Sequence, residues 1–89
     1  MSKLLEGKVA IVTGGAKGLG YGISRALASE GASVLISGRD GATAQAVAAE
    51  IERDFGAKAI GIAGDMGVKD DVLAMVQKAV DNFGGLDIL

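Results

Sequence analysis

Thr13-Gly14-Gly15-Ala16-Lys17-Gly18-Leu19-Gly20 stands between two stretches of different period. Ahead of it, Lys8-Val9-Ala10-Ile11-Val12-Thr13 is a short continuous apolar run, the pattern of a strand buried on both faces of a parallel sheet. After it, from Gly18, apolar residues recur at helical spacing; Leu19, Ile23, Ala26 and Leu27 are read as the buried face, and Gly31 as the C-terminal stop. Where a strand hands over to a helix in this way, the first backbone N–H groups of the helix face an incoming anion. Glycine at 14 permits the tight turn, glycine at 18 leaves the backbone open to a phosphate, and glycine at 20 lets the helix lie close to the sheet. An ordinary strand-to-helix turn is the alternative.

The spacing G-x-x-x-G-x-G is not the G-x-G-x-x-G of the commonest dinucleotide turn. Nor is it a P-loop, because Lys17 precedes Gly18 instead of following a glycine and preceding Ser or Thr, so ATP or GTP hydrolysis is not expected.

Working outward, the unit repeats its type. Ser33-Val34-Leu35-Ile36-Ser37 is a second apolar run, followed by Gly38-Arg39-Asp40, with Asp40 suited to cap a helix. Residues 41–55 carry Ala44, Val47, Ala48, Ile51 and Phe55 at helical intervals, and Gly56 ends them. A third run, 57–63, leads to Gly64-Asp65-Met66-Gly67 and to a helix over 68–83 with Val72, Val76, Ala79, Val80 and Phe83 as its stripe. Residues 86–89 begin a fourth strand. The alternation predicts an α/β fold: a Rossmann-type parallel sheet with helices on both faces, first half only, in the order βαβαβαβ over residues 1–89. A small α/β domain complete in itself is the alternative; an ending inside an apolar run favours a part of something larger.

With 89 residues, 49% of them hydrophobic and 22% charged, the chain has enough apolar surface for one core and is not a disordered tail. A net charge of −2 with scattered Lys and Arg gives no support to nucleic-acid binding. Without cysteine or histidine, disulfides and thiolate or imidazole ligands are excluded, and no metal site is expected. The apolar runs fall far short of the roughly 20 residues of a membrane span, and the N-terminus has no signal-peptide pattern, which reads as cytoplasmic.

T-G-x-x-x-G-x-G at 13–20 after a first strand resembles the cofactor signature of short-chain dehydrogenases/reductases. Leu4 and Gly7-Lys8-Val9-Ala10-Ile11-Val12 before it, Gly64-Asp65 after the third run, and Gly84-Gly85-Leu86-Asp87-Ile88-Leu89 extend the resemblance along the whole chain. It implies an oxidoreductase that moves hydride between a nicotinamide cofactor and a small-molecule carbonyl or alcohol substrate. By the same resemblance, N–H groups around Ala16, Leu19 and Gly20 face the phosphates, with Gly14, Gly18 and Thr13 shaping the turn. Asp65 and the Met66 backbone receive the adenine; a plain turn aspartate is the other reading of Asp65.

NAD enzymes of this fold carry an acid at the end of the second strand, on the ribose hydroxyls. Here that place is Gly38, followed by Arg39, and Lys17 in the glycine loop reaches the same region. Together they look like the basic pair that holds a 2′-phosphate, so NADP is expected in preference to NAD. Two alternatives remain: Arg39 pairing with Asp40, or Asp40 serving the ribose.

The resemblance also implies a catalytic Y-x-x-x-K pair, a serine, and an asparagine in an N-N-A-G segment after the fourth strand. The sequence ends at Leu89, where that segment would start, and its single tyrosine, Tyr21, is followed by Gly22-Ile23-Ser24-Arg25. No catalytic residue is assigned, and these 89 residues alone are expected to be inactive. Three readings stand: the cofactor-binding part of an NADP-dependent oxidoreductase, a non-catalytic nucleotide-binding half-domain, or an inert structural fragment. Self-association along the uncovered apolar fourth strand is expected.

Overall fold

The computed structural model describes residues 4–14, 16–65 and 67–87. The elements run β1 (Val9–Thr13), α1 (Gly18–Ser29), β2 (Ser33–Gly38), α2 (Gly41–Phe55), β3 (Ala59–Ala63) and α3 (Lys69–Phe83). The third strand starts at Ala59, two residues later than its apolar run, and Val68 sits before α3 as its N-cap. The three strands pair in parallel in the order β1-β2-β3, with Val9 opposite Ser33 and Val34 opposite Ala59.

The strands are apolar throughout because alternate residues enter two different cores. Ala10, Val34 and Ile36 pack with Ala28 of α1 and with Ala44, Val47, Ala48 and Ile51 of α2. Val9, Ile11 and Leu35 pack with Met75 and Ala79 of α3 on the opposite face. The chain steps from β1 to β2 to β3 in one direction, so right-handed crossovers place α1 and α2 on the same face. A helix on the other face requires the chain to travel back past β1, and it does. The Asp87 N–H donates to the Val9 carbonyl at 2.9 Å, and the Val9 N–H donates to Asp87 Oδ2 at 2.9 Å. Leu86 and Asp87 are not in a strand and 88–89 lie outside the described residues, so the expected fourth strand is seen only as this approach to β1.

The helix ends follow local chemistry. The Asp40 carboxylate caps α2, and Gly56 and Gly84 close α2 and α3 in left-handed conformations, with φ of 68° and 85°.

Two helix faces differ from expectation. In α1, Leu19 is 82% exposed and Ile23 43%, while Ser24 and Ala28 are buried and Tyr21 and Leu27 pack beside them. The fully buried residues that α1 turns to the sheet are small, Ser24 and Ala28. Burying Ser24 is cheap, since its hydroxyl donates to the Gly20 carbonyl at 2.8 Å. In α3 the buried centre is Met75 with Ala79, and Val80 is 42% exposed.

Helix α2 lies close against β3. A Cβ at Gly61 would lie 2.2 Å from the Ala44 carbonyl carbon and oxygen and 2.4 Å from the Gln45 nitrogen. These are backbone atoms, so a side chain there moves the whole helix. At Gly64 the obstacle is the Met75 methyl at 2.3 Å, the far end of a flexible side chain. Gly61→Ala is therefore expected to cost about 3 kcal/mol through forced separation of α2 from the sheet, and Gly64→Ala less than about 1 kcal/mol. Urea denaturation midpoints check the difference; equal losses would contradict it.

Candidate cofactor-binding site

The C-terminal ends of the three strands open at one edge of the sheet. The Gly14 N–H donates to the Ser37 carbonyl at 2.8 Å and the Gly64 N–H to the Gly38 carbonyl at 2.9 Å, so both ladders run one residue past the strands. The glycine loop, Gly38-Arg39-Asp40 and Gly64-Asp65 are thereby neighbours, at the edge where open α/β sheets take ligands. Gly14 and Gly18 have φ of 66° and 54°, conformations that cost other residues about 1–2 kcal/mol. A Cβ at either would meet nothing within 4 Å. Backbone conformation requires these glycines, and the space in front of them is open.

The N-terminus of α1 has neither a side-chain cap nor an acid in its first turn; Lys17, its N-cap residue, is extended with φ −140° and ψ 151°. The first helical hydrogen bond runs from the Tyr21 N–H to the Lys17 carbonyl at 3.2 Å. The N–H groups of Gly18, Leu19 and Gly20 come before it and have no acceptor within the helix. The other two helix starts are supplied with negative charge. Asp40 Oδ1 accepts from the Ala42 and Thr43 N–H groups at 3.0 and 3.3 Å, and Oδ2 from the Thr43 hydroxyl at 2.9 Å. Asp70 and Asp71 occupy the first turn of α3.

Lys17 and Arg39 line one recess of about 270 Å³ together with Gly14, Ala16, Gly38, Asp40 and Thr43. Both are exposed, and neither has an ion pair among the described residues. The pairing of Arg39 with Asp40 is thus not formed, and the Asp40 carboxylate is turned to α2. Hydrogen bonds from Thr43 hold the Asp40 carboxyl below its ordinary pKa, with the Lys17 charge adding to them. Arg39 also borders the two adjoining recesses, which reach Thr13, Ser37, Gly64, Asp65 and Asp71. The basic side of the edge therefore continues into the Asp65 side.

Asp65 shapes its own turn: Oδ1 accepts from the Gly67 N–H at 2.8 Å, and its carbonyl accepts from the Val68 N–H at 3.0 Å. Its own N–H donates to Asp71 Oδ2 at 3.0 Å. Asp71 escaped the sequence reading, although an acid three residues after a helix N-cap is the spacing of a capping box. Here it reaches back past the N-cap to Asp65. Met66 lies outside the described residues.

Behind the glycine loop, α1 is tied to α2. The Tyr21 hydroxyl donates to Glu50 Oε2, which raises the Tyr21 pKa above its ordinary value. Arg25 Nη1 donates to Glu50 and, at 3.0 Å, to Asp54; its guanidinium lies 5.7 Å from the Tyr21 ring centre and 4.9 Å from that of Phe55. Hydrogen bonds from Arg53 and then Arg25 hold the Asp54 carboxyl below its ordinary value. A depressed carboxyl adds stability that is fully present above the ordinary carboxylate range and is lost as pH falls through the lowered value. Asp54→Asn should therefore lower the melting temperature at neutral pH and converge with the unmutated chain in strong acid. Circular-dichroism melts between about pH 2 and pH 7 check this; a constant offset across the range would contradict it.

Residues 8–89 match the family model described as short chain dehydrogenase. The chain is 40% identical over 92 residues to a 12alpha-hydroxysteroid dehydrogenase of a Clostridium species, covering 97% of this chain and 36% of that protein. It is 42% identical over 86 residues to a hydroxynaphthalene reductase of Aspergillus fumigatus, covering 96% and 31%. The crystal structure of a hydroxysteroid dehydrogenase from Escherichia coli superposes with a TM-score of 0.90 at 34% identity, over 96% of this chain and 36% of that one. The chain belongs to the short chain dehydrogenase family and spans about a third of the length of these relatives.

Proposed function

We propose that this chain is the cofactor-binding part of an NADP-dependent oxidoreductase that interconverts a small carbonyl compound and its alcohol. The observation that carries the reading is the recess shared by Lys17 and Arg39, two cations without ion pairs among the described residues, whose one carboxylate, Asp40, is engaged at α2. The donor set fits a dinucleotide. N–H groups of Ala16, Leu19 and Gly20 at the uncapped start of α1 hold its phosphates, Gly14 and Gly18 keep the approach open, and Lys17 and Arg39 take a 2′-phosphate. The second carboxylate oxygen of Asp65 and the Met66 backbone take the adenine. The bound cofactor supplies or accepts the hydride.

Tyr21 has no part in that chemistry. Its hydroxyl is held by Glu50 on α2, its pKa is raised, and the position four residues on is Arg25, not a lysine. In this reading the 89 residues supply cofactor binding, and no acid/base residue for hydride transfer is assigned among them. Similarity to a hydroxysteroid dehydrogenase and a hydroxynaphthalene reductase supports a hydrophobic substrate. A cytoplasmic setting belongs to the same reading; no helix among the described residues is long and apolar enough to cross a membrane.

Titration calorimetry with NADPH and NADH tests the cofactor. Lys17→Ala and Arg39→Ala should each weaken NADPH about tenfold, the worth of one charge-assisted contact, and leave NADH little changed. Equal affinity of the unmutated chain for the two cofactors would overturn the NADP assignment. Self-association is also part of the reading, though on a different surface from the expected fourth strand: Leu73 and Val80, two turns apart on α3, are 56% and 42% exposed. Sedimentation velocity should show a dimer or larger species that Leu73→Glu reduces to monomer; an unmutated monomer would contradict it.

A further inference from the structure

We infer that Asp40 attenuates the anion site formed by Lys17 and Arg39, and so sets how strongly the chain prefers a phosphorylated ribose over a plain one. The inference rests on the NADP reading above. Asp40 lies in the same recess as both cations, so one of the three charges there opposes an incoming phosphate. Its carboxylate also takes the Ala42 N–H, the Thr43 N–H and the Thr43 hydroxyl, and Thr43 itself lines that recess. Three donors at the start of α2 that suit a phosphate are thereby occupied from within the chain.

Capping does not require this charge, since Asn and Ser cap a helix about as well as Asp. The carboxylate therefore costs the anion site affinity without being needed by α2. Lys17 acts on Asp40 as well as on any ligand: part of its positive field is already answered by the depressed carboxyl beside it. A dinucleotide without the 2′-phosphate lacks the charge that would lie beside Arg39 and Asp40, so residue 40 acts on it far less.

Asp40→Asn and Asp40→Ser test this by calorimetric titration with NADPH and NADH, with far-ultraviolet circular dichroism to show that α2 is retained. Both variants should bind NADPH about three- to tenfold more tightly, the size of one removed like charge at an exposed site. NADH affinity should stay within about twofold, and the gain should shrink as ionic strength rises from about 0.01 M to about 0.15 M. The inference is overturned if the two cofactors shift together, if neither shifts, or if the gain is insensitive to salt. Lys17→Ala and Arg39→Ala run alongside separate the two failures. If they weaken NADPH while the Asp40 variants leave it unchanged, only the role of Asp40 falls. If they too leave NADPH unchanged, the NADP reading falls and the role of Asp40 with it.

Discussion

Two backbone hydrogen bonds, from the Gly14 N–H to Ser37 and from the Gly64 N–H to Gly38, carry the parallel ladder beyond the strands that make it. Everything at the site depends on them. Parallel pairing sends every strand end to the same edge, and the ladder fixes the heights at which the three following turns leave the sheet. A slip of one residue in β2 would exchange its two faces, sending Leu35 into the α1/α2 core and Val34 and Ile36 toward α3. Arg39 would then leave the recess it shares with Lys17.

The helices reach that edge because they lie close to the sheet, and they lie close because the facing residues are small. The backbone of Ala44 and Gln45 in α2 lies over Gly61, and Ser24 and Ala28 are the buried residues of α1. Close packing lets the two helix starts flank one recess. The Tyr21–Glu50–Arg25 cluster adds lateral alignment of α1 against α2 at modest strength, since its charged members are 29% exposed and such pairs contribute about 1 kcal/mol or less. Its value lies in geometry: the turn of α1 that carries Tyr21 adjoins the one that presents the glycine loop.

Charge at the three helix starts is distributed unequally, and this gives the edge its chemistry. The positive end of α2 is answered by Asp40 and that of α3 by Asp70 and Asp71, whereas α1 begins with Lys17 and glycine. An anion arriving at this edge meets one helix start that has no side-chain cap among the described residues, flanked by two exposed cations.

The sequence by itself determined the alternation of strand and helix, the Asp40 and Gly56 caps and the strand-glycine-helix turn, because period, capping and positive φ are local properties of a few neighbouring residues. It also marked Lys17 and Arg39, which were legible as chemistry before they were legible as neighbours. Tertiary structure decided which side of α1 is buried: apolarity favoured Leu19 and Ile23, but the face packed on the core carries Ser24 and Ala28. It likewise chose Met75 over Val80, made Gly61 a contact point, and set Asp71 against Asp65. The distance between packed elements admits one side-chain size and refuses another, and that distance is a property of two segments at once, absent from either read alone.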